Sequence, residues 1–195
     1  PRWMRWCDPL GQKPEDVLPL VRAYCLEKAL GTGTTTTPTP VVTEAPVQTV
    51  TIPTVGEVKL LHWFNDIKPT LNTKQTLLCV DPSTGISWTL QLLSLGRHAD
   101  AEPLTAADTA KMLKAFGGNT WNPRPVWVVF ADGSVYMAST HSVPHGVQHR
   151  TDNDFAGHSC LHFPRTQEQV QAIGTYATSH QTTIDAGWAA TQAMK

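Results

Sequence analysis

Five of the chain's eight histidines and one of its four cysteines fall in a single stretch, HSVPHGVQHRTDNDFAGHSCLHF, residues 141–163. Imidazole and thiol in this density admit three kinds of chemistry. The first is a cysteine nucleophile with a histidine base. A thiol reacts as thiolate, so it needs a base within reach and a further group to orient that base. The second is a metal, zinc above all, whose ligands are these side chains. The third is no chemistry, with solvated histidines and Cys160 as a small core residue.

Within GHSCLHF a strand is predicted. Residues two apart on a strand share a face, so His158, Cys160 and His162 project together while Leu161 and Phe163 point to the core. Upstream, YMASTHS would deliver His141 and Ser142 at the end of another strand. The loop between these strands can set His141 beside Cys160, and backbone N–H groups around 157–160 could then hold an oxyanion. For the metal alternative, GRHADAEP supplies His98, Asp100 and Glu102 on alternate positions. A zinc site would draw on His98, Asp100, His158 and His162, with Cys160 or His145 as further donors. Three consecutive same-face ligands on a flat strand stand too far apart to share one ion without a bend or bulge.

The stretch resembles the catalytic signature of the L,D-transpeptidases, the YkuD-type enzymes that cross-link bacterial peptidoglycan. That signature is a histidine, fourteen to seventeen residues, then Ser/Thr-His-Gly-Cys, an apolar residue, and Asn or Arg. Here His141 is followed by fifteen residues and then Gly157-His158-Ser159-Cys160-Leu161-His162. Gly and Ser have changed places around His158, and His162 stands where Asn or Arg is usual. A second alignment puts His145-Gly146 in the base position, with eleven residues before Gly157. The resemblance covers 126–163. It implies Cys160 as nucleophile, His141 as base, Ser142 as the group whose carbonyl orients that base, and His158 on the oxyanion side. His145, Gly146, Ser159 and His162 would contact substrate. The implied partner is the peptidoglycan stem peptide, with no cofactor and no metal. The implied setting is bacterial, secreted, and extracellular or periplasmic at the cell wall. A zinc-dependent wall peptidase or amidase and a non-catalytic wall-binding module stay open as alternatives.

The elements that must position these residues follow from pattern. TLLCVDPSTGISWTLQLLSL is predicted as a β-hairpin around residues 81–85, and RPVWVVFADGSVYMAST as a second one turning at Asp132-Gly133. LTAADTAKMLKAFGG is predicted as a helix from Thr105 to Gly117. EVKLLHWFNDIKP is predicted as a short helix burying Leu60, Leu61, Phe64 and Ile67 and ending before Pro69. Thr166 and Gln169 form a capping-box pattern that opens a C-terminal helix with Val170, Ile173, Ala177, Ile184 and Trp188 at helical spacing. Trp127 and Cys79 are expected in the core. Trp121, Trp127 and Trp88 are candidates for stacking on sugar rings. Asp108, which with Glu102 could suggest a glycosidase pair, is explained by capping.

These elements give an α+β class: a strand-rich, β-sandwich-like catalytic domain over 56–195 with flanking helices. Residues 1–30 read as an N-terminal helical segment, too short for a core of its own. Residues 31–55, rich in Thr and Pro, read as an extended linker. A disulfide between Cys7 and Cys25 would suit an exported chain. The start at Pro1 rather than Met suits a processed or truncated product. Hydrophobic residues make up 41% of the 195, enough for a buried core. The net charge of −1, with no basic run, argues against a nucleic-acid partner. No apolar run is long enough for a membrane span.

Overall fold

Alternation of apolar and polar residues in SWTLQLLSL buries Trp88, Leu90 and Leu92 along one face of a strand. Other strands carry continuous buried runs instead, as in Val126–Val128 of RPVWVV and throughout SCLH. The computed structural model describes residues 57–195, all within one of the two units into which the chain divides. The expected N-terminal helical segment, the Thr/Pro linker, and Cys7 with Cys25 lie outside the described residues.

The strands are β1 (Val58–Lys59), β2 (Thr76–Val80), β3 (Ser87–Leu95), β4 (Ala99–Pro103), β5 (Arg124–Val129), β6 (Val135–Thr140) and β7 (Ser159–His162). The helices are α1 (Ala106–Phe116), α2 (Gln167–Ile173) and α3 (Thr175–Ala193). The α+β class is as the sequence predicts. Both hairpins, β2–β3 and β5–β6, form antiparallel pairs about the expected turns. The sheet runs β1-β6-β5-β2-β3-β4-β7, and β7 pairs again with β6. Six strands therefore close into a ring. The edge of β6 is divided: Val135 and Tyr136 take β1 in parallel, while Ser139 and Thr140 take His162 and Leu161 of β7.

The strand least expected from its residues is β4. Its sequence, ADAEP, has poor strand propensity. It is held by pairing with β3 on one side and β7 on the other. Glu102 is fully buried there because its carboxylate accepts from the backbone N–H groups of His149 and Arg150, at 2.6 and 2.9 Å.

The helices follow their caps. Thr105 accepts from Asp108 N at 3.1 Å to open α1, and Gly117, at φ 75°, closes it. Asp108 accepts from Thr89 N and from the Thr105 hydroxyl, so it is structural. Thr166 and Gln169 form both arms of the capping box at the start of α2. The single C-terminal helix expected from there is broken in two. Gly174, at φ 105°, has a backbone conformation that side-chain-bearing residues resist, and α3 starts afresh after it. The predicted helix near residue 60 shrinks to a five-residue wide turn, Trp63–Ile67, followed by a 3-10 turn that contains Pro69. It buries Trp63 and Ile67 and leaves Leu60 exposed. Trp63 stacks on Phe163, just beyond β7, with centroids 5.7 Å apart.

Two apolar clusters result. Trp63, Trp88, Leu90, Leu92, Phe116, Leu161 and Phe163 belong to the larger one, which also contains Cys79. Val80, Trp127, Met137 and Ile184 belong to the other, where α3 packs on β5 and β6. Trp127 is thus a core residue, its indole N–H donating to Thr191 Oγ1 at 3.1 Å.

Candidate functional site

The closure of the sheet brings β7 between β4 and β6, and with it Cys160 into a cleft of about 490 Å³. That volume suits a small ligand or a peptide end. Cys160, His141, His145 and His162 form one side. Thr175, Tyr176, Ser179 and His180 of α3 form the other. Trp121, 59% exposed, stands at the rim over the rings of His141 and His145, at 4.7 and 5.0 Å.

His145 is the imidazole in hydrogen-bond range of the thiol. Its Nε2 lies 3.4 Å from Cys160 Sγ, and its Nδ1 lies 3.2 Å from the Val143 carbonyl. A carbonyl can only accept, so Nδ1 carries the hydrogen and Nε2 presents a lone pair to the sulfur. The loop is fixed by an isolated bridge in which His145 and His158 exchange both backbone hydrogen bonds, at 3.0 and 2.8 Å. Two glycines permit the approach. A Cβ on Gly157 would lie 2.6 Å from the His145 backbone, and one on Gly146 would lie 2.5 Å from the His158 ring.

His141, expected as the base, occupies a different place. Its Nε2 faces the backbone N–H of Cys160 at 3.4 Å, and its Nδ1 faces the N–H of Val143 at 3.3 Å. Burial, then the neighbouring His145, pushes its pKa down to about 3. The neutral ring can accept at only one of these two nitrogens, and a second proton would turn an N–H toward both amide donors. Ser142, expected to orient the base through its carbonyl, instead anchors the loop before β5. Its hydroxyl donates to Gly118 O at 2.7 Å and accepts from Thr120 N at 3.0 Å. The carbonyl on the dyad is that of Val143.

The expected oxyanion donors are engaged elsewhere. Gly157 N donates to Phe155 O and His158 N to His145 O. The Cys160 N–H makes a long contact to His141 Nε2, at 3.4 Å. The Ser159 hydroxyl is buried without a partner and lies away from the cleft lining.

Burial, together with the carboxylate of Asp100, pushes the Cys160 thiol up to about 12. Cys160 therefore rests as a thiol, and the stable thiolate that a lowered pKa would give is absent. Burial also raises Cys79, which is fully enclosed in β2. His145 is lowered below the ordinary imidazole value, by burial first, with Val143 acting in the opposite sense. It is neutral, and able to accept a proton, at neutral pH.

His162 lies at the bottom of the cleft, stacked between His98 at 4.6 Å and His180 at 3.7 Å. Arg165 donates to its Nδ1 at 3.1 Å. Burial, then His180, holds its pKa well below the ordinary value. His180, brought by α3 and joined to Ser139 Oγ at 2.8 Å, is pushed down to about 3 by burial and by His141. The sequence signal for it was a histidine between Ala177 and Ile184 on the apolar face of that helix.

The four residues of the zinc alternative do not surround one point. His98 Nε2 pairs with Asp100 Oδ1 at 3.0 Å, His158 Nε2 lies 3.7 Å from the same oxygen, and His162 Nδ1 is taken by Arg165. No protein-family model, curated protein or solved structure matches the chain. Among the described residues no helix is long and apolar enough to cross a membrane.

Proposed function

We propose that the protein is a cysteine acyltransferase with Cys160 as nucleophile and His145 as its base. The observation that carries this is the Sγ–Nε2 contact at 3.4 Å, with the far nitrogen of His145 held by the Val143 carbonyl in a cleft open to a peptide end. Because the thiol is protonated at rest, attack and proton transfer are coupled. His145 Nε2 takes the thiol hydrogen as Sγ bonds to the acyl carbon, and returns it to the departing amine. The thioester then passes to an amine or to water. His145 as base corresponds to the His145-Gly146 alignment with the L,D-transpeptidase signature. By that resemblance the donor is a peptidoglycan stem peptide that loses its terminal D-alanine, and the setting is the bacterial cell wall outside the cytoplasm.

The test is release of D-alanine from a stem tetrapeptide, with a carbapenem as covalent probe, read by mass spectrometry. Release and a single adduct on Cys160 are expected, both lost in Cys160→Ser and after alkylation, and neither lost in chelator. Activity that survives Cys160→Ser, or that chelator abolishes, overturns the assignment.

A further inference from the structure

On the β4 side of Cys160, Asp100 Oδ1 and His158 Nε2 face each other at 3.7 Å. This is too long for a hydrogen bond. His158 Nδ1 lies 2.9 Å from the Val147 carbonyl and so carries a hydrogen, which leaves Nε2 as the nitrogen that can present a lone pair. A lone pair and a carboxylate oxygen turned toward one another repel unless a proton or a metal ion lies between them. Cys160 completes the group. It is the register partner of Asp100 across β4 and β7, and one donor atom from each of the three residues lies within 4.8 Å of the other two.

Donors around a tetrahedral zinc lie about 2.0–2.3 Å from the ion, and so roughly 3.3–3.8 Å from one another. The supporting contacts are those of a ligand shell. His158 is held by a backbone carbonyl at its far nitrogen, and Asp100 accepts from His98 Nε2 at 3.0 Å and from the Ser94 hydroxyl. Two other groups also converge on the thiol, and both fail this comparison. In His98, Cys160 and His162, Arg165 occupies the His162 Nδ1 lone pair, which leaves the hydrogen on the nitrogen a metal would need. The His98 and His162 rings also lie within 18° of parallel, so their in-plane lone pairs do not converge. In His141, His145 and Cys160, both His141 nitrogens face backbone N–H groups.

We propose that Asp100, His158 and Cys160 bind one divalent ion of the zinc type, with His98 fixing the Asp100 carboxylate. Binding forms the Sγ–metal bond and releases the thiol hydrogen to solvent. Where Cys160 is also the acyl-transfer nucleophile, which rests on the function proposed above, metal and acyl donor compete for the same sulfur.

The full chain, stripped of metal, is titrated with Co²⁺ and the thiolate-to-cobalt absorption recorded, with Cys160→Ser subtracting any contribution of Cys7 and Cys25. One equivalent is expected. Affinity falls at least tenfold in Asp100→Asn and in His158→Ala, and is unchanged in His162→Ala and His149→Ala. Circular dichroism confirms that each variant is folded. In the unsubstituted protein, Zn²⁺ slows alkylation of Cys160 at least tenfold. Absence of the band, a band indifferent to Asp100 and His158, loss in His162→Ala, or alkylation indifferent to Zn²⁺ overturns the site. Metal binding without a carbapenem adduct in the metal-free protein sinks the acyltransferase and leaves the metal site standing. An adduct without metal binding does the reverse.

Discussion

His145 reaches the sulfur of Cys160 with Nε2 at 3.4 Å, while His141 reaches only the amide of the same residue at the same distance. Two histidines four residues apart therefore do different things to one cysteine. The distinction sets an expectation. His145→Ala removes the proton acceptor and lowers the acylation rate of Cys160 by about 10²–10⁴-fold. His141→Ala frees the Cys160 amide and takes a ring from beneath Trp121, which costs less in rate. Single-turnover formation of an acyl adduct distinguishes them. A larger loss in His141→Ala would return the base to that residue.

The resting thiol predicts its own pH profile. With the Cys160 pKa pushed to about 12, unassisted alkylation rises close to tenfold per pH unit from neutral toward alkaline pH, with no plateau near 9. Cys79, more deeply buried, labels more slowly throughout. Intact mass and peptide mapping over pH 6–10 report both rates. A plateau near pH 8 would mean that the thiolate is stabilised after all.

Acid should unfold this protein through its interior histidines. His141 and His180 have folded pKa values near 3, against an ordinary 6.5. The unfolded chain therefore binds protons first, and stability falls as pH drops below 6.5. The slope approaches about 1.4 kcal/mol per pH unit for each group, or roughly 2 kcal/mol each by pH 5. Urea midpoints at pH 7, 6 and 5 measure it, and His180→Gln should flatten the curve. Midpoints that hold constant from 7 to 5 would contradict the burial of these rings.

The loop that carries His145 depends on two glycines. At Gly157, φ 141°, a methyl group would meet the His145 backbone itself, whereas at Gly146, φ 64°, it would meet a ring that can turn. Gly157→Ala should cost about 1–3 kcal/mol and disengage His145 from the thiol, with Gly146→Ala the milder of the two. Thermal melts with Cys160 acylation rates check both. A Gly157→Ala protein with normal rates would show that the bridge to His158 does not position the base.

Gly187 in α3 has no room either. A Cβ there would lie 2.3 Å from Pro125 Cβ and 2.8 Å from Met137 Cε. Alanine improves helix propensity by about 1 kcal/mol, but overpacking against a rigid proline ring costs about 1–3 kcal/mol. A net loss of stability in urea unfolding is expected, and a gain would mean that α3 can lift from the sheet.

The hairpins and α1 were legible because each part of their sequence points the same way. In β5–β6 apolar runs flank Asp132-Gly133, and in α1 Thr105 and Gly117 mark both ends. β4 was hidden for the opposite reason. Nothing local in ADAEP favours a strand, and its pairing comes from β3, just before it, and from β7, some sixty residues later. The choice between His141 and His145 was hidden likewise. Spacing allows both, and it is the bridge to His158 that brings His145 to the sulfur. Tyr176, Ser179 and His180 entered the site unannounced because Gly174 reorients the chain, and a sequence pattern read as one continuous helix does not show that.

The seam at β7 also bears on how the protein is made. β7 pairs with β4, some sixty residues earlier, and with the end of β6 across the loop that holds His145. Such distant pairings are entropically costly and form late in folding. Until they form, Cys160 is an ordinary flexible thiol, able to pair with another cysteine of the nascent chain wherever oxidants are present. Once they form, the same sulfur is enclosed and protonated beside its base. Folding should therefore be the period of greatest oxidative risk for Cys160, and misoxidised chains the characteristic failure product of slow barrel closure.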